Sequence, residues 1–326
     1  RRSGKPVVLA VNKVEKESQQ YAVHEFHTLG LGEPHAISAL HGQNIGDLLD
    51  LIVEGFPEAE IEQPCDCKVA IVGRPNVGKS SVLNLLTGRN EAIVSDIAGT
   101  TRDALHTDLQ WHGKTIRLID TAGLRRKSKV KEAVEAFCNM RTTRAIEQCD
   151  VAVVVVDASA GTVAQDAKIA GLVHDQGKGV IVAFNKWDLV DKDDTTHLST
   201  WEEFGREVPF LPYAPWFTMS ALTRQRSGKL METVWQVHEE RAKRIPTKEL
   251  NDIMERITRH QAPRYHSGGT GKVYFAVQAE TSPPSIVLSV NNPKFFERNY
   301  LRYINNKLRA EYGFVGTRIF VKTKAH

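Results

Sequence analysis

Gly73-Arg74-Pro75-Asn76-Val77-Gly78-Lys79-Ser80, running on into Ser81, fixes the reading of the whole chain. It follows an apolar run, Val69 to Val72, and precedes a helix-like run, Ser81 to Leu86. That is G-x-x-x-x-G-K-S in a strand–loop–helix context, the pattern of a phosphate-binding loop. Gly73 and Gly78 let the backbone curl until successive N–H groups point at one anion. A helix starting near Lys79 adds the positive end of its dipole. Lys79 supplies a charge for the β- and γ-phosphates, and Ser80 a hydroxyl for Mg²⁺.

A phosphate loop does not say which base is bound. Asn185-Lys186-Trp187-Asp188 closes another apolar run, Val180 to Phe184, and so sits at the carboxyl end of a buried strand, where open α/β sheets take ligands. Asp188 can accept two hydrogen bonds from the guanine ring N–H and its exocyclic amine. Adenine has no such pair on that edge and would leave a carboxylate unpaired, at a cost of about 1–3 kcal/mol or more. Asn185 is expected to brace the base and nearby backbone, and Lys186 to lie along the ring. Between these boxes, Asp120-Thr121-Ala122-Gly123 ends the run Thr115 to Ile119. Asp120 is placed to hold Mg²⁺ through water, and the Gly123 N–H to meet the γ-phosphate. One threonine of Gly99-Thr100-Thr101-Arg102-Asp103 is expected to close over the metal. Ser220-Ala221-Leu222 would present the Ala221 N–H to the guanine carbonyl. Any one of these last three could be an ordinary loop; five boxes in chain order predict a GTP-binding domain.

With 326 residues, 41% apolar and 25% charged, the chain has the composition of a globular protein of two or three domains. No apolar run approaches the ~20 residues of a membrane span, and Arg1-Arg2-Ser3-Gly4-Lys5-Pro6 does not read as a signal peptide. Four cysteines in this length argue for a reducing compartment. Cys65-Asp66-Cys67 lacks a second cysteine or histidine pair at ligand spacing and reads as two thiols in a linker. The net charge of +4 is uneven: from Ile245 onward there are 13 Lys/Arg against 6 Asp/Glu. A basic tail on a slightly acidic body points to a polyanionic partner.

Residues 1–60 repeat the order strand, N-K-x-acid, S-A-L, helix seen again at 180–244. Pro6 to Val11 is followed by Asn12-Lys13-Val14-Glu15, then Ala36-Ile37-Ser38-Ala39-Leu40 and an amphipathic run from Ile45. With no phosphate loop before it, this copy reads as the second half of a G domain. Glu15 in place of Asp predicts no nucleotide binding by 1–60 alone, and an uncovered strand edge is expected there. Residues 61–67 read as a linker, 68–244 as a complete G domain and 245–326 as a further domain. In the G domain, Leu105 to Trp111 and Thr115 to Ile119 read as a hairpin, and Val151 to Val156 as a central strand. Leu124 to Lys131 is a cation-rich loop after Gly123. From Lys248 the order is helix, strand (272–281), strand (285–290), helix (293–312), strand (317–322), which suits a three-stranded sheet with helices on one face. Gly268-Gly269-Thr270-Gly271 has the letters of a KH clamp but precedes a strand instead of joining two helices, and so reads as a loop.

Taken together, GRPNVGKS, DIAGTTRD, IDTAGLRRK, NKWD and the helix with Tyr300-Leu301-Arg302-Tyr303 resemble the Der (EngA) family of tandem-G-domain GTPases, over nearly the whole chain. The resemblance implies an α/β P-loop G domain with a mixed, mostly parallel sheet, a C-terminal α+β KH-like domain and an incomplete N-terminal G domain. It implies a GTPase acting late in large (50S) ribosomal subunit assembly. The expected partners are that subunit or its precursors and rRNA, with no membrane; the chain is expected to be a monomer in a bacterial cytoplasm or an organelle. Lys79, Thr101 and Gly123 are the expected catalytic residues. GTP is expected to meet 73–81, 120–124, 185–188 and 220–222. Leu124 stands where many GTPases carry a water-orienting Gln, so unaided hydrolysis should be slow. By similarity Asn76, Ser95, Ile97 and Thr100 would hold K⁺, leaving Thr101, Ser80 and Asp120 to Mg²⁺. A GTP-clamped RNA-binding module without appreciable hydrolysis is the reading of another class. A tRNA-modification GTPase of the MnmE kind shares I-A-G-T-T-R-D but ends in C-x-G-K, which this chain lacks.

Overall fold

The computed structural model describes residues 7–15, 17–54, 64–88, 93–94, 106–121, 134–191, 193, 195–263 and 269–326. They form two units, Arg1–Pro64 and Cys65–His326.

In the first unit, β1 (Leu9–Val11) pairs in parallel with β2 (Pro34–Ala36), and helices Glu17–Val23 and Ile45–Glu54 follow the two strands. The repeat seen in the sequence is present at the level of single bonds. Asn12 Oδ1 accepts the Ala39 N–H at 3.0 Å, as Asn185 Oδ1 accepts the Ala221 N–H at 2.9 Å. Lys13 and Lys186 are both left-handed, and the bridge Ser38–Gln43 has its counterpart in Ser220–Gln225.

The second unit begins with a seven-stranded sheet. Its strands are β3 (Cys67–Val72), β4 (Ile93–Val94), β5 (His106–Trp111), β6 (Lys114–Ile119), β7 (Val151–Asp157), β8 (Gly179–Asn185) and β9 (Trp216–Thr218). The spatial order is β4-β5-β6-β3-β7-β8-β9. All pairings are parallel except β4–β5 and β5–β6, the expected hairpin. Strands buried on both faces read as unbroken apolar runs, and β7 is buried along its whole length. On β3, Cys67, Val69 and Ile71 enter one core layer, with the helices Lys79–Thr87 and Gly228–Ala242. Ala70 and Val72 enter the other, with helices Val134–Gln148, Ala164–Asp175 and Thr196–Glu207. Each fully buried Val or Ile stabilises by roughly 1.5–3 kcal/mol, so a single charge in β3 or β7 would be severe. Chain order reverses across β3, which puts its carboxyl end at the sheet's switch point. Cys67, read as linker, is a wholly buried first residue of β3; the apolar run simply starts one residue earlier than Lys68 suggested.

The remainder is helix Thr247–His260, β10 (Val273–Thr281), β11 (Pro284–Val290), helix Arg298–Tyr312 and β12 (Phe320–Ala325). The sheet order is β10-β11-β12, antiparallel then parallel. Leu250, Ile253, Met254 and Ile257 form the buried stripe of the first helix, at the spacing that places side chains on one face. Two expected element starts shift by three residues or more. The second helix starts at Arg298, because Pro293–Phe295 is a separate 3₁₀ turn capped by Asn292. The last strand starts at Phe320, not Thr317, because 314–317 serves as a junction: Val180 N–H donates to Gly316 O at 2.7 Å, and Gly316 N–H to Tyr213 O at 2.9 Å. Arg309 caps Thr317 O at 2.9 Å and stacks on the Tyr213 ring at 4.3 Å. Arg318 donates to His174 O at 3.1 Å.

A candidate nucleotide site at the carboxyl ends of the strands

Gly73 leaves β3 with φ of 150° and Gly78 precedes the helix with φ of 96°. A Cβ on Gly73 would strike the Val155 carbonyl, and one on Gly78 the Asn185 side-chain amide. Both positions therefore need glycine for close approach as well as for backbone angle. Asn76 is exposed and left-handed, a conformation asparagine tolerates. Pro75, Ser80 and Ser81 are exposed, Lys79 is half-buried, and Val77 is wholly buried. Lys79 Nζ donates to the Arg74 carbonyl at 2.7 Å, folding its ammonium back over the loop. The loop is thus a shaped row of backbone amides around one cation, suited to a polyphosphate.

Arg74 does not point into that loop. Its Nε lies 3.3 Å from Asp166, which is fully buried, and its Nη2 donates to Gly161 O at 3.4 Å. Burial raises the Asp166 carboxyl above its ordinary range, against the pull of its bond from Val163 and the Arg74 charge. Arg74 thereby ties the phosphate loop to helix Ala164–Asp175; any part it has in anion binding comes from its backbone.

Asn185 connects three boxes. Only 2% exposed, it donates from Nδ2 to Val77 O at 2.8 Å in the phosphate loop and accepts Ala221 N–H on Oδ1 at 2.9 Å. The Ala221 N–H, expected to meet a guanine carbonyl, faces the Asn185 amide here. The reason is register, since the two loops leave the neighbouring strands β8 and β9 within reach of each other. Trp187, also expected at the nucleotide, is a residue only 4% exposed, and its backbone N–H donates to Met219 O at 3.1 Å. Asp188 is half-buried in the short 3₁₀ turn Trp187–Leu189. Ser220 is buried and its Oγ accepts Thr223 N–H at 3.1 Å, which shapes its loop, while Leu222 is 83% exposed.

Lys186, left-handed at the loop entrance, places Nζ 2.5 Å from Asp157. Burial pushes the Asp157 carboxyl up, but the hydrogen bonds from Lys186 and Ser159 outweigh it and hold the group below its usual range. Asp157 and Asp166 were missed in the sequence. Asp157 could have been found: it ends β7 in register with Asn185 on β8. Asp166 gave no signal, because its partner is distant in the chain. Asp120 directly follows β6, which lies next to β3, with φ of 56°, and the buried Thr121 hydroxyl accepts from Thr107 at 3.1 Å. Ser80 and Asp120 are hard oxygen donors of the kind Mg²⁺ takes, one in the first turn of the helix after the phosphate loop and one just past the end of β6. Ser95, Ile97, Thr100, Thr101, Ala122, Gly123, Leu124 and the cation-rich loop to Lys131 lie outside the described residues.

Known proteins resemble the chain along nearly its whole length. A family model described as "50S ribosome-binding GTPase" matches residues 68–186, and one described as the C-terminal KH-domain-like region of EngA bacterial GTPase enzymes matches 244–324. GTPase Der of Lachnoclostridium phytofermentans is 48% identical over 97% of this chain and 73% of its own length. GTPase Der of Alkaliphilus metalliredigens is 46% identical over 98% and 73%. The chain belongs to the Der (EngA) family of GTPases. A solved structure of Aquifex aeolicus Era bound to GDP and aluminium fluoride covers 79% of this chain and 92% of its own, at 21% identity and a TM-score of 0.41.

As a Der-family member the chain is a GTPase, with a P-loop G domain followed by a KH-like domain. The Der KH-like domain carries a cleft of about 120 Å³ lined by Gln261, Ala262, Phe295, Glu297, Asn299 and Tyr300, away from the motif loops. That is below the ~300 Å³ at which small-molecule sites begin. No helix of the described residues is long and apolar enough to cross a membrane.

Proposed function

We propose that the loops gathered around Asn185 bind GTP with Mg²⁺ and hydrolyse it with K⁺ assistance, and that this cycle serves a late step of large (50S) ribosomal subunit assembly. The observation that supports the reading most is the double hydrogen bond of Asn185. It makes the phosphate loop, the base-reading loop and the Ser220–Leu222 loop one rigid receptor. Residues 68–244 act as the GTPase, and 245–326, which carry the excess of Lys/Arg, face rRNA of the subunit or its precursors. The chain acts as a monomer in the bacterial cytoplasm or in an organelle.

In this reading the backbone amides of 73–80 and the Lys79 ammonium hold the β- and γ-phosphates. Asp188 accepts from the guanine edge, and the stem of Lys186, held in place by Asp157, covers the ring. Ser80, Asp120 and Thr101 hold Mg²⁺, which neutralises phosphate charge when bound. Gly123 N–H meets the γ-phosphate. Leu124 has no polar group to orient the attacking water, so the chain's own rate is low until a cation or the ribosomal partner completes the site. Asn76, exposed and left-handed beside the phosphates, offers a side-chain oxygen to K⁺; Ser95, Ile97 and Thr100 complete that set. Multiple-turnover phosphate release should rise when K⁺ replaces Na⁺, and Asn76→Ala should remove the difference. Equal rates in both salts would end the K⁺ assignment. Co-sedimentation with large-subunit precursors that ignores the nucleotide state would end the claim that GTP controls docking.

A further inference from the structure

At the opposite end of the same sheet, three elements bring metal-ligating side chains together. Cys67 opens β3, Asp150 immediately precedes β7, and His238 lies on helix Gly228–Ala242. One ligand atom from each of them, a thiol sulfur, a carboxylate oxygen and an imidazole nitrogen, lies within 4.8 Å of the others. Cys67 is wholly buried, and Asp150 and His238 are half-buried. Asp150 is already fixed, since its Oδ2 accepts the Lys68 N–H at 2.8 Å. His238 Nδ1 is out of contact with solvent and has no hydrogen-bond partner. A buried imidazole nitrogen left unsatisfied is costly, and this ring also brings a nitrogen to within 4.8 Å of a thiol and a carboxylate.

We propose that Cys67, Asp150 and His238 form a structural site for a borderline-soft divalent cation of the Zn²⁺ class, at the amino-terminal end of the G-domain sheet. Sulfur, nitrogen and oxygen donors in one cluster match zinc, whereas Mg²⁺ and Ca²⁺ take oxygen alone. Four-coordinate zinc with bonds of about 2.0–2.3 Å sets its donors roughly 3.3–3.8 Å apart, inside that 4.8 Å limit. Water fills the fourth position. Arg241 also faces the cluster: its charge acts on Cys67, Cys149 and Asp150, while its Nη1 donates to the Gly177 carbonyl. Burial, with the Asp150 charge behind it, pushes the Cys67 thiol well up and Arg241 opposes this only in small part, so a bound metal must itself displace the thiol proton. The bound ion would staple the first strand of the sheet to the helix from which the chain leaves for the KH-like domain. Cys65-Asp66-Cys67 gave no such signal in the sequence, because the other two ligands come from distant segments.

The full chain, stripped with a chelator, should take up Zn²⁺ at one tight site by calorimetry, and Co²⁺ in its place should show thiolate-to-metal charge-transfer absorption. Cys67→Ala should abolish that absorption. His238→Gln and Asp150→Asn, which leave the core intact, should each weaken Zn²⁺ binding by at least about tenfold. Trp235, whose ring centroid is 5.1 Å from that of His238, gives a local fluorescence signal quenched by Co²⁺. Absence of the charge-transfer band in the wild-type chain would overturn the proposal. So would a band unchanged in Cys67→Ala, or Zn²⁺ affinity unchanged in a folded His238→Gln chain.

Discussion

Replacing Asn185 by Ala removes two hydrogen bonds with one change and cuts the link between the phosphate loop and the Ser220–Leu222 loop. The Val77 carbonyl and the Ala221 N–H lose their partners, and each unsatisfied group costs about 1–3 kcal/mol. Ala221 is half-buried, so water relieves part of its cost. The expected loss in unfolding free energy is therefore about 2–4 kcal/mol, read by urea denaturation. GTP affinity, read by calorimetry, should fall by roughly 10- to 100-fold, because the loops must then be ordered by the ligand itself. Asn185→Asp separates the two bonds. It keeps an oxygen for Ala221 N–H but sets a carboxylate against the Val77 carbonyl, so its binding defect should match or exceed that of the Ala variant. Wild-type stability and wild-type GTP affinity in Asn185→Ala would refute the idea that this side chain holds the receptor together.

Gly78→Ala should weaken GTP binding by at least about tenfold in the same titration, since its new methyl group meets the Asn185 amide at a backbone angle that L residues resist. His174, in the junction between the G and KH-like domains, bonds Tyr213 Oη through Nδ1 at 2.8 Å. Burial, then the Arg318 and Arg309 charges, lower it to about 4 from an ordinary value of 6.5. A base held neutral in the fold contributes stability above the unfolded value and loses it as pH falls from about 6.5 towards 4. Because the ring is partly open to water, which screens the two arginines, the loss is on the order of 1–2 kcal/mol. Thermal melts from pH 7 to pH 5 should show the midpoint falling, and His174→Gln should flatten that fall; a variant with the wild-type slope would contradict it.

Much of this was legible in the chain because the fold repeats a local unit. An apolar run followed by a glycine, lysine or aspartate box placed each strand end, and β3, β7 and β8 fell where their β-branched runs lay. What stayed hidden depends on which loops meet. Arg74 read as a phosphate ligand, yet a buried Asp166 from another helix takes its side chain. The Ala221 N–H read as a base contact, and its bond to Asn185, which joins two loops, could not be read from the chain. Trp187 sits in a binding string but is held in the core. The last strand began late because Gly316 and Thr317 serve the junction with the G domain, a demand that no propensity records.

Everything proposed for the site rests on a carboxylate at Asp188 reading guanine, and calorimetry of the purified chain with GTP and ATP tests that most directly. GTP should bind more tightly by on the order of 10³-fold or more, and Asp188→Asn, which replaces an acceptor by a donor, should shift the preference to xanthosine triphosphate. ATP held as tightly as GTP, or a selectivity that Asp188→Asn leaves unchanged, would contradict the account.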